Sequence, residues 1–205
     1  MRYALQMKKT SSLRNIANLC VFCGSSEGRN PLYMQAAHTL AIEMANRRIN
    51  LVYGGGGAGI MGKLSSTLRH LPVSVVGIIP DRIYEMVRHL DHAEDELIVV
   101  GTMHERKGAM YERSDAFVAL PGGIGTLEEL MEALTWLQLG YHEKPVGILN
   151  TAGFFDPLIA MLHHMVDEGF LRMNMLESLV VESEPKALLD SLERIDLTIP
   201  QKIST

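Results

Sequence analysis

The chain has 205 residues, 47% hydrophobic and 21% charged, the proportions of a single globular domain with a full core. A formal net charge of −5 and a pI near 5.9 argue against a general nucleic-acid binder, which needs a basic footprint. No apolar run approaches the ~20 residues that cross a bilayer, and no apolar segment of signal-peptide type follows the N-terminal charges, so a cytoplasmic location with no membrane partner is expected.

The first 26 residues carry Arg2, Lys8, Lys9 and Arg14 and no acid. Residues 1–17 read as an N-terminal arm, of the kind that frays. "LCVFCG" (19–24) reads as a buried strand. Its two cysteines, Cys20 and Cys23, form a C-x-x-C, which invites a redox or zinc reading. They lie in a strand rather than at a helix start, and no second pair completes a zinc site. Both are expected to serve as small apolar packing residues.

Pro31 to Ile49 predicts a helix, with Pro31 where a missing N–H is tolerated. "INLVYGG" (49–55) predicts a second strand and Gly59 to His70 a helix. "VSVVGIIP" (73–80) and "ELIVVGT" (96–102) predict the third and fourth strands, the latter followed by a helix from Met103 to Ser114. "AFVALPGG" (116–123) predicts a fifth strand, Thr126 to Leu139 a helix, and "PVGILN" (145–150) a sixth strand. Phe155–Glu168 reads as a helix, "SLVVES" (178–183) as a seventh strand, and Glu184–Arg194 as a last helix.

The strands are nearly all apolar and lack alternation, as buried parallel strands do. Strand–helix alternation then predicts an α/β fold: a doubly wound, Rossmann-like, mostly parallel sheet of about seven strands flanked by helices. Without long linkers or repeats, residues 1–205 read as one domain. Ligands of such sheets bind beyond the C-terminal strand ends. "CGSSEG" (23–28), "GGGGAGIMG" (54–62), "GTMHERKG" (101–108) and "PGGIGT" (121–126) all fall on that rim.

"GGGGAG" satisfies G-x-G-x-x-G, with Asp81 about twenty residues on, so an NAD-dependent oxidoreductase enters as one reading. The loop follows the second strand rather than the first, however, and Asp81 falls past the end of its strand. A phosphate or nucleotide loop without nicotinamide fits better. "PGGIGT" offers backbone donors to a phosphate beside it. Next to it, Thr126-Leu127-Glu128-Glu129 reads two ways: as a T-x-x-E capping box, or as carboxylates held at the rim of the cleft. Leu127, Leu130, Met131 and Leu134 share the core face, which leaves Glu128 and Glu129 near the cleft rather than buried.

A glycine loop that suits an anion and a carboxylate that suits a cation are both useful when a sugar phosphate loses its base. The phosphate stays on the loop and an oxocarbenium ion forms beside the carboxylate. Arg106 and Lys107 in "MHERK" supply cations that could hold a carboxylate or a phosphate. His104-Glu105 does not extend to H-E-x-x-H, because position 108 is Gly108. His163-His164 and His89/His92 lack a supporting carboxylate pattern. No metal site and no cofactor are expected.

"MHERK" followed by "LPGGIGTLEEL" resembles the LOG (LONELY GUY) family, whose pattern is P-G-G-x-G-T-x-x-E. "VYGGGGAGIMG" and "VFCGSS" match in order and spacing, so that the resemblance covers about residues 18 to 183. It implies a phosphoribohydrolase that cleaves the N-glycosidic bond of a nucleoside 5′-monophosphate, AMP or a cytokinin riboside 5′-monophosphate, to a free base and ribose 5-phosphate. It implies Arg106 and Glu129 as the catalytic pair. Lys107, Gly122, Gly123, Ile124, Gly125, Thr126, Leu127, Glu128 and Thr135 would bind substrate, with Ser25, Gly54, Gly55, Gly56 and Gly57 lining the same pocket. It also implies a homodimer or higher homo-oligomer. Ile124 stands where the family more often has Tyr, and residues 82–96, expected to border the base, depart from the usual pattern. The preferred base therefore stays open. A non-catalytic nucleotide sensor using the same loops is the alternative from another class.

Overall fold

The computed structural model describes residues 13–89 and 93–197. Seven parallel strands form one sheet in the order β4-β3-β2-β1-β5-β6-β7. They are β1 (Asn18–Phe22), β2 (Asn50–Tyr53), β3 (Val75–Pro80), β4 (Glu96–Val100), β5 (Ala116–Ala119), β6 (Val146–Leu149) and β7 (Leu179–Glu182). The helices are α1 (Leu32–Asn46), α2 (Gly59–Leu68), α3 (Asp81–Val87), α4 (Met103–Glu112), α5 (Ile124–Leu139), α6 (Asp156–Asp167), α7 (Met173–Glu177) and α8 (Pro185–Arg194). Every expected strand is present, with ends that differ from the expected bounds by up to four residues.

Strand β1 shows why the strands read as unbroken apolar runs. Leu19, Val21 and Cys23 face one core, shared with α1, α2 and α8. Cys20 and Phe22 face the other, shared with α4, α5, α6 and α7. A strand covered on both faces has no polar side to alternate with. Both cysteines are buried and free, as their packing role requires. Burial pushes both thiols well above their ordinary titration range.

Three elements were not foreseen: α3, α7 and a short 3-10 turn at Thr151–Gly153. All are brief, below the length at which helical periodicity becomes visible. Residues 1–12 and His92 lie outside the described residues. The end of the expected arm is docked rather than frayed. Arg14 donates its backbone N–H to Glu193 O (2.8 Å) and its Nε to Ile195 O (3.0 Å), and Ile16 is buried. Among the described residues, no helix is long and apolar enough to cross a membrane, and no group of three or more His, Cys, Asp or Glu could hold a metal ion.

The chain builds outward from β1 through β2 and β3 to β4, then returns to lay β5 on the other side of β1. That reversal opens a crevice beyond the C-terminal ends of β1 and β5. Gly24 N–H donates to Pro121 O across it (3.1 Å), joining the loops that leave the two strands.

Candidate active site

A cavity of about 420 Å³ lies at this edge of the sheet. It gathers Ser25 from the β1 loop, Gly54, Gly56 and Gly57 from the β2 loop, Arg106 from α4, and Gly123, Gly125, Thr126, Glu128 and Glu129 from the start of α5. Gly55, Gly122, Ile124, Lys107, Leu127 and Thr135 do not line it. Gly55 takes a positive φ of 69° to make the turn. Gly122 faces a neighbouring cavity walled by Tyr33 and Phe154, and Ile124 is 87% exposed. Leu127 packs into the core. Thr135 lies three turns into α5, on a separate apolar cavity with Met131 and Leu162, and donates its hydroxyl to Met131 O.

Helix α5 begins two residues earlier than its sequence pattern indicates, with Gly123 as the N-cap and no side-chain cap. Thr126 therefore sits inside the first turn, buried, with its hydroxyl packed on Gly122, where a methyl group would overlap it. The capping-box reading of Thr126 and Glu129 is thereby corrected. The capping box of this rim belongs to α4. Thr102 Oγ1 accepts from Glu105 N–H (3.1 Å), and Glu105 accepts from Thr102 N–H (3.1 Å) and Gly101 N–H (2.8 Å).

Freed from capping, Glu129 turns to Arg106. The guanidinium donates Nη1 to Glu129 Oε1 at 2.6 Å and Nε to Ile78 O at 3.1 Å. The two side chains are 11% and 12% exposed, so Glu129 is largely covered while it still lines the cleft. Burial raises the Glu129 carboxyl above its ordinary range, the Arg106 cation opposes that rise, and Glu128 adds to it. Glycine at 54 gives the guanidinium its space, because a methyl group there would overlap Arg106. Lys107 is turned away from the cavity, bonded to Glu128 (2.7 Å) and to Glu132, a partner the motif did not indicate.

The first N–H groups of a helix have no partner inside it. At α2, Gly24 O accepts from Ile60 N–H (3.1 Å) and Met61 N–H (3.3 Å). At α5, Ile124, Gly125 and Thr126 are in that position, beside Arg106 and Glu129. Of the two glycine loops, only the one at α5 leads into an open helix start, with the β2 loop beside it. The dinucleotide reading is weakened further, since Asp81 lies on α3, past the last residue of β3.

The cavity also has a wall that sequence reasoning did not resolve into residues. Met61, Ile79, Pro80, Ile83, Val87 and Met103 line it. For Ile83 and Val87 the available signal was their place just past the end of β3, on the segment expected to border a base.

A family model described as "Possible lysine decarboxylase" matches residues 61–192. The probable cytokinin riboside 5′-monophosphate phosphoribohydrolase LOGL2 of Oryza sativa subsp. japonica is 45% identical over 176 residues, covering 85% of this chain and 71% of that one. The cytokinin riboside 5′-monophosphate phosphoribohydrolase LOG7 of Arabidopsis thaliana is 44% identical over 191 residues, covering 93% and 86%. Among solved structures, the molybdenum cofactor binding protein of Rippkaea orientalis superposes with a TM-score of 0.62 at 24% identity, covering 84% and 92%, a likeness of fold. With these identities across most of its length, and with Arg106, Glu129 and the α5 glycine turn meeting in one cavity, the chain belongs to the LOG family.

Proposed function

We propose that the protein hydrolyses the N-glycosidic bond of a nucleoside 5′-monophosphate, releasing the free base and ribose 5-phosphate, with AMP as the default substrate. The observation that carries this reading is the largely covered Arg106–Glu129 pair at 2.6 Å, set beside the open N-terminus of α5. The relatives' names point to the same reaction class.

The 5′-phosphate rests on the N–H groups of Ile124, Gly125 and Thr126, where the helix dipole favours an anion. The bond from the ribose C1′ to the base nitrogen breaks, and its electron pair leaves with the base. The oxocarbenium ion left on the ribose is stabilised by the Glu129 carboxylate. Water attacks C1′ and Glu129 takes the proton that water gives up, while the base nitrogen takes up a proton from solvent and leaves as the neutral base; Glu129 then returns its proton to solvent. A carboxyl raised by burial is better suited to accept that proton than an ordinary one. Arg106 keeps it ionised and aimed, through a charge-assisted bond in a site where solvent screens little.

Glu129→Gln tests the reaction. Product chromatography of AMP digests should show base release lowered by about a hundredfold or more, the usual scale for an acid–base group, with the fold retained. Release at the parental rate would refute the role of Glu129.

A homodimer is part of the proposal. Tyr141 is 76% exposed, Phe170 80%, Met161 49% and Met173 48%. Exposed apolar side chains mark an interaction surface where they form one contiguous patch. Light scattering on the purified chain reads the assembly directly.

A further inference from the structure

Side chains of α4 and α5 set two cations against three carboxylates. Arg106 and Lys107 are consecutive on α4, and consecutive helical side chains diverge by ~100°, so the two cations reach different partners. Arg106 bonds Glu129. Lys107 Nζ donates to Glu128 Oε1 (2.7 Å) and to Glu132. Glu128 and Glu132 are four residues apart and share a face of α5, which Lys107 straddles. The two acids are not equivalent. The Glu128 side chain is 50% exposed and lines the cavity. The Glu132 side chain is 19% exposed and lies toward Tyr111, whose ring packs on Phe117 and Trp136. Burial pushes the Tyr111 phenol far up, and Glu132 is the charge that adds most to the rise. Burial also works against the Lys107 cation, yet Glu128 and Glu132 outweigh it and hold the amine above its ordinary value. Glu132 is thus the covered, fixed end of the Lys107 bridge, and Glu128 the exposed end.

Building on the proposed reaction, we infer that Glu132 is a positioning residue, which anchors Lys107 on α5 away from the cavity and so leaves Arg106 as the cation that bonds Glu129. Glu132 falls three residues past the end of the P-G-G-x-G-T-x-x-E pattern. The proposed chemistry needs this division of charge. A catalytic base works best with a pKa near the working pH, and a second cation brought onto Glu129 would pull its carboxyl down and weaken it as a base. The charged and titratable groups around Glu129 are Arg106, Lys107 and Tyr111 of α4, Glu128 and Glu132 of α5, Cys20 of β1 and Cys23 just after it. Burial keeps the two thiols and the phenol neutral. Arg106 is tied at two points, to Glu129 and to Ile78 O. Lys107 is the charge with room to move, a point cation on a flexible four-carbon stem. Without Glu132 it shifts toward Glu128 and Glu129.

The test uses Glu132→Gln, which keeps the size and removes the charge, and Glu132→Asp, which keeps the charge. Glu132→Gln is repeated in the Lys107→Ala background. Glu132→Ala is a second charge-removing variant should the Gln form fail to fold, which thermal melts report. The deciding readout is the titration of the Glu129 carboxyl carbon by NMR on the full chain without substrate, its signal assigned by its loss in Glu129→Gln. The acid limb of kcat/KM for AMP should follow it. Glu132→Gln should move the titration to lower pH by about half a unit, the scale of one partly screened charge at short range. Glu132→Asp should restore the parental position. In the Lys107→Ala background the same Gln substitution should move it less than half as far, because the effect runs through Lys107. A titration that stays put in Glu132→Gln overturns the inference. So does an equal shift in both backgrounds, the mark of a direct charge effect, and so does a shift that Glu132→Asp leaves in place, the mark of a merely structural role. If the titration moves as stated and the parent releases no base from AMP, the proposed reaction fails and the Glu132 assignment stands.

Discussion

Arg106 bonds Glu129 through Nη1 and the Ile78 carbonyl through Nε, so one guanidinium ties α5 to the end of β3. That bridge makes the charge state of Glu129 a property of the assembled cleft. Because burial sets the carboxyl above its usual value, the acid limb of kcat/KM should lie above 4.5, the ordinary value. As pH falls through the raised value, Glu129 takes up a proton and stops acting as a base. The Lys107 cation pulls the carboxyl down, so Lys107→Ala should move the limb to higher pH. A pH–rate profile of the parent and of this variant checks both directions. A limb that stays put in the variant counts against the electrostatic account.

Gly54→Ala should impair activity without unfolding the protein. The added methyl would overlap the Arg106 guanidinium, which must move and take Glu129 with it. A displacement of about 1 Å in a catalytic group costs ~10²-fold in rate. Steady-state kinetics should show a fall in kcat of that size, and thermal melts should show a Tm within a few degrees of the parent.

Thr102→Ala removes the cap of α4. Loss of such a cap costs ~0.5–2 kcal/mol, measurable by urea unfolding. Arg106 follows the cap by one turn, so kcat should fall as well. Thr102→Ser, which keeps the hydroxyl, should restore both.

His142 makes stability depend on pH. Its ring packs on Phe117, with centroids 5.3 Å apart, its Nε2 bonds to Ala133 O and its Nδ1 accepts from Lys144 N–H. Burial pushes its pKa down to about 4, and the Lys144 cation adds to the effect. Below the unfolded value of 6.5, the unfolded chain takes a proton that the folded chain refuses. The contribution is thus fully present above 6.5 and is lost as pH falls toward 4. Its size is ~1–2 kcal/mol once solvent reaching the ring edge is allowed for. Urea titrations between pH 4 and 7 should show this slope, and His142→Gln should flatten it.

The strands and the long helices were legible because a buried parallel strand is an apolar run and a long helix repeats its apolar face. The meeting of Arg106 with Glu129 was legible because both follow strand ends on one rim. What escaped depended on shape. Glycine at 122 and 123 lets α5 start early, which moves Thr126 from a cap into the core and releases Glu129. Gly24 O occupies the start of α2, a contact between distant loops that local pattern does not encode. The cavity-facing residues of α3 are Ile83 and Val87, too few to show a period.

The strand order has a kinetic consequence. Arg106 is 23 residues from Glu129 and 28 from Ile78 in the chain, and Gly24 meets Pro121 only where β1 and β5 lie side by side. No hairpin or single βαβ unit contains the cleft. Parallel pairings between distant segments form late, because loop closure is costly before contacts offset it. During refolding, recovered turnover should therefore trail recovered helix signal, and a fragment ending before β5 should be inert.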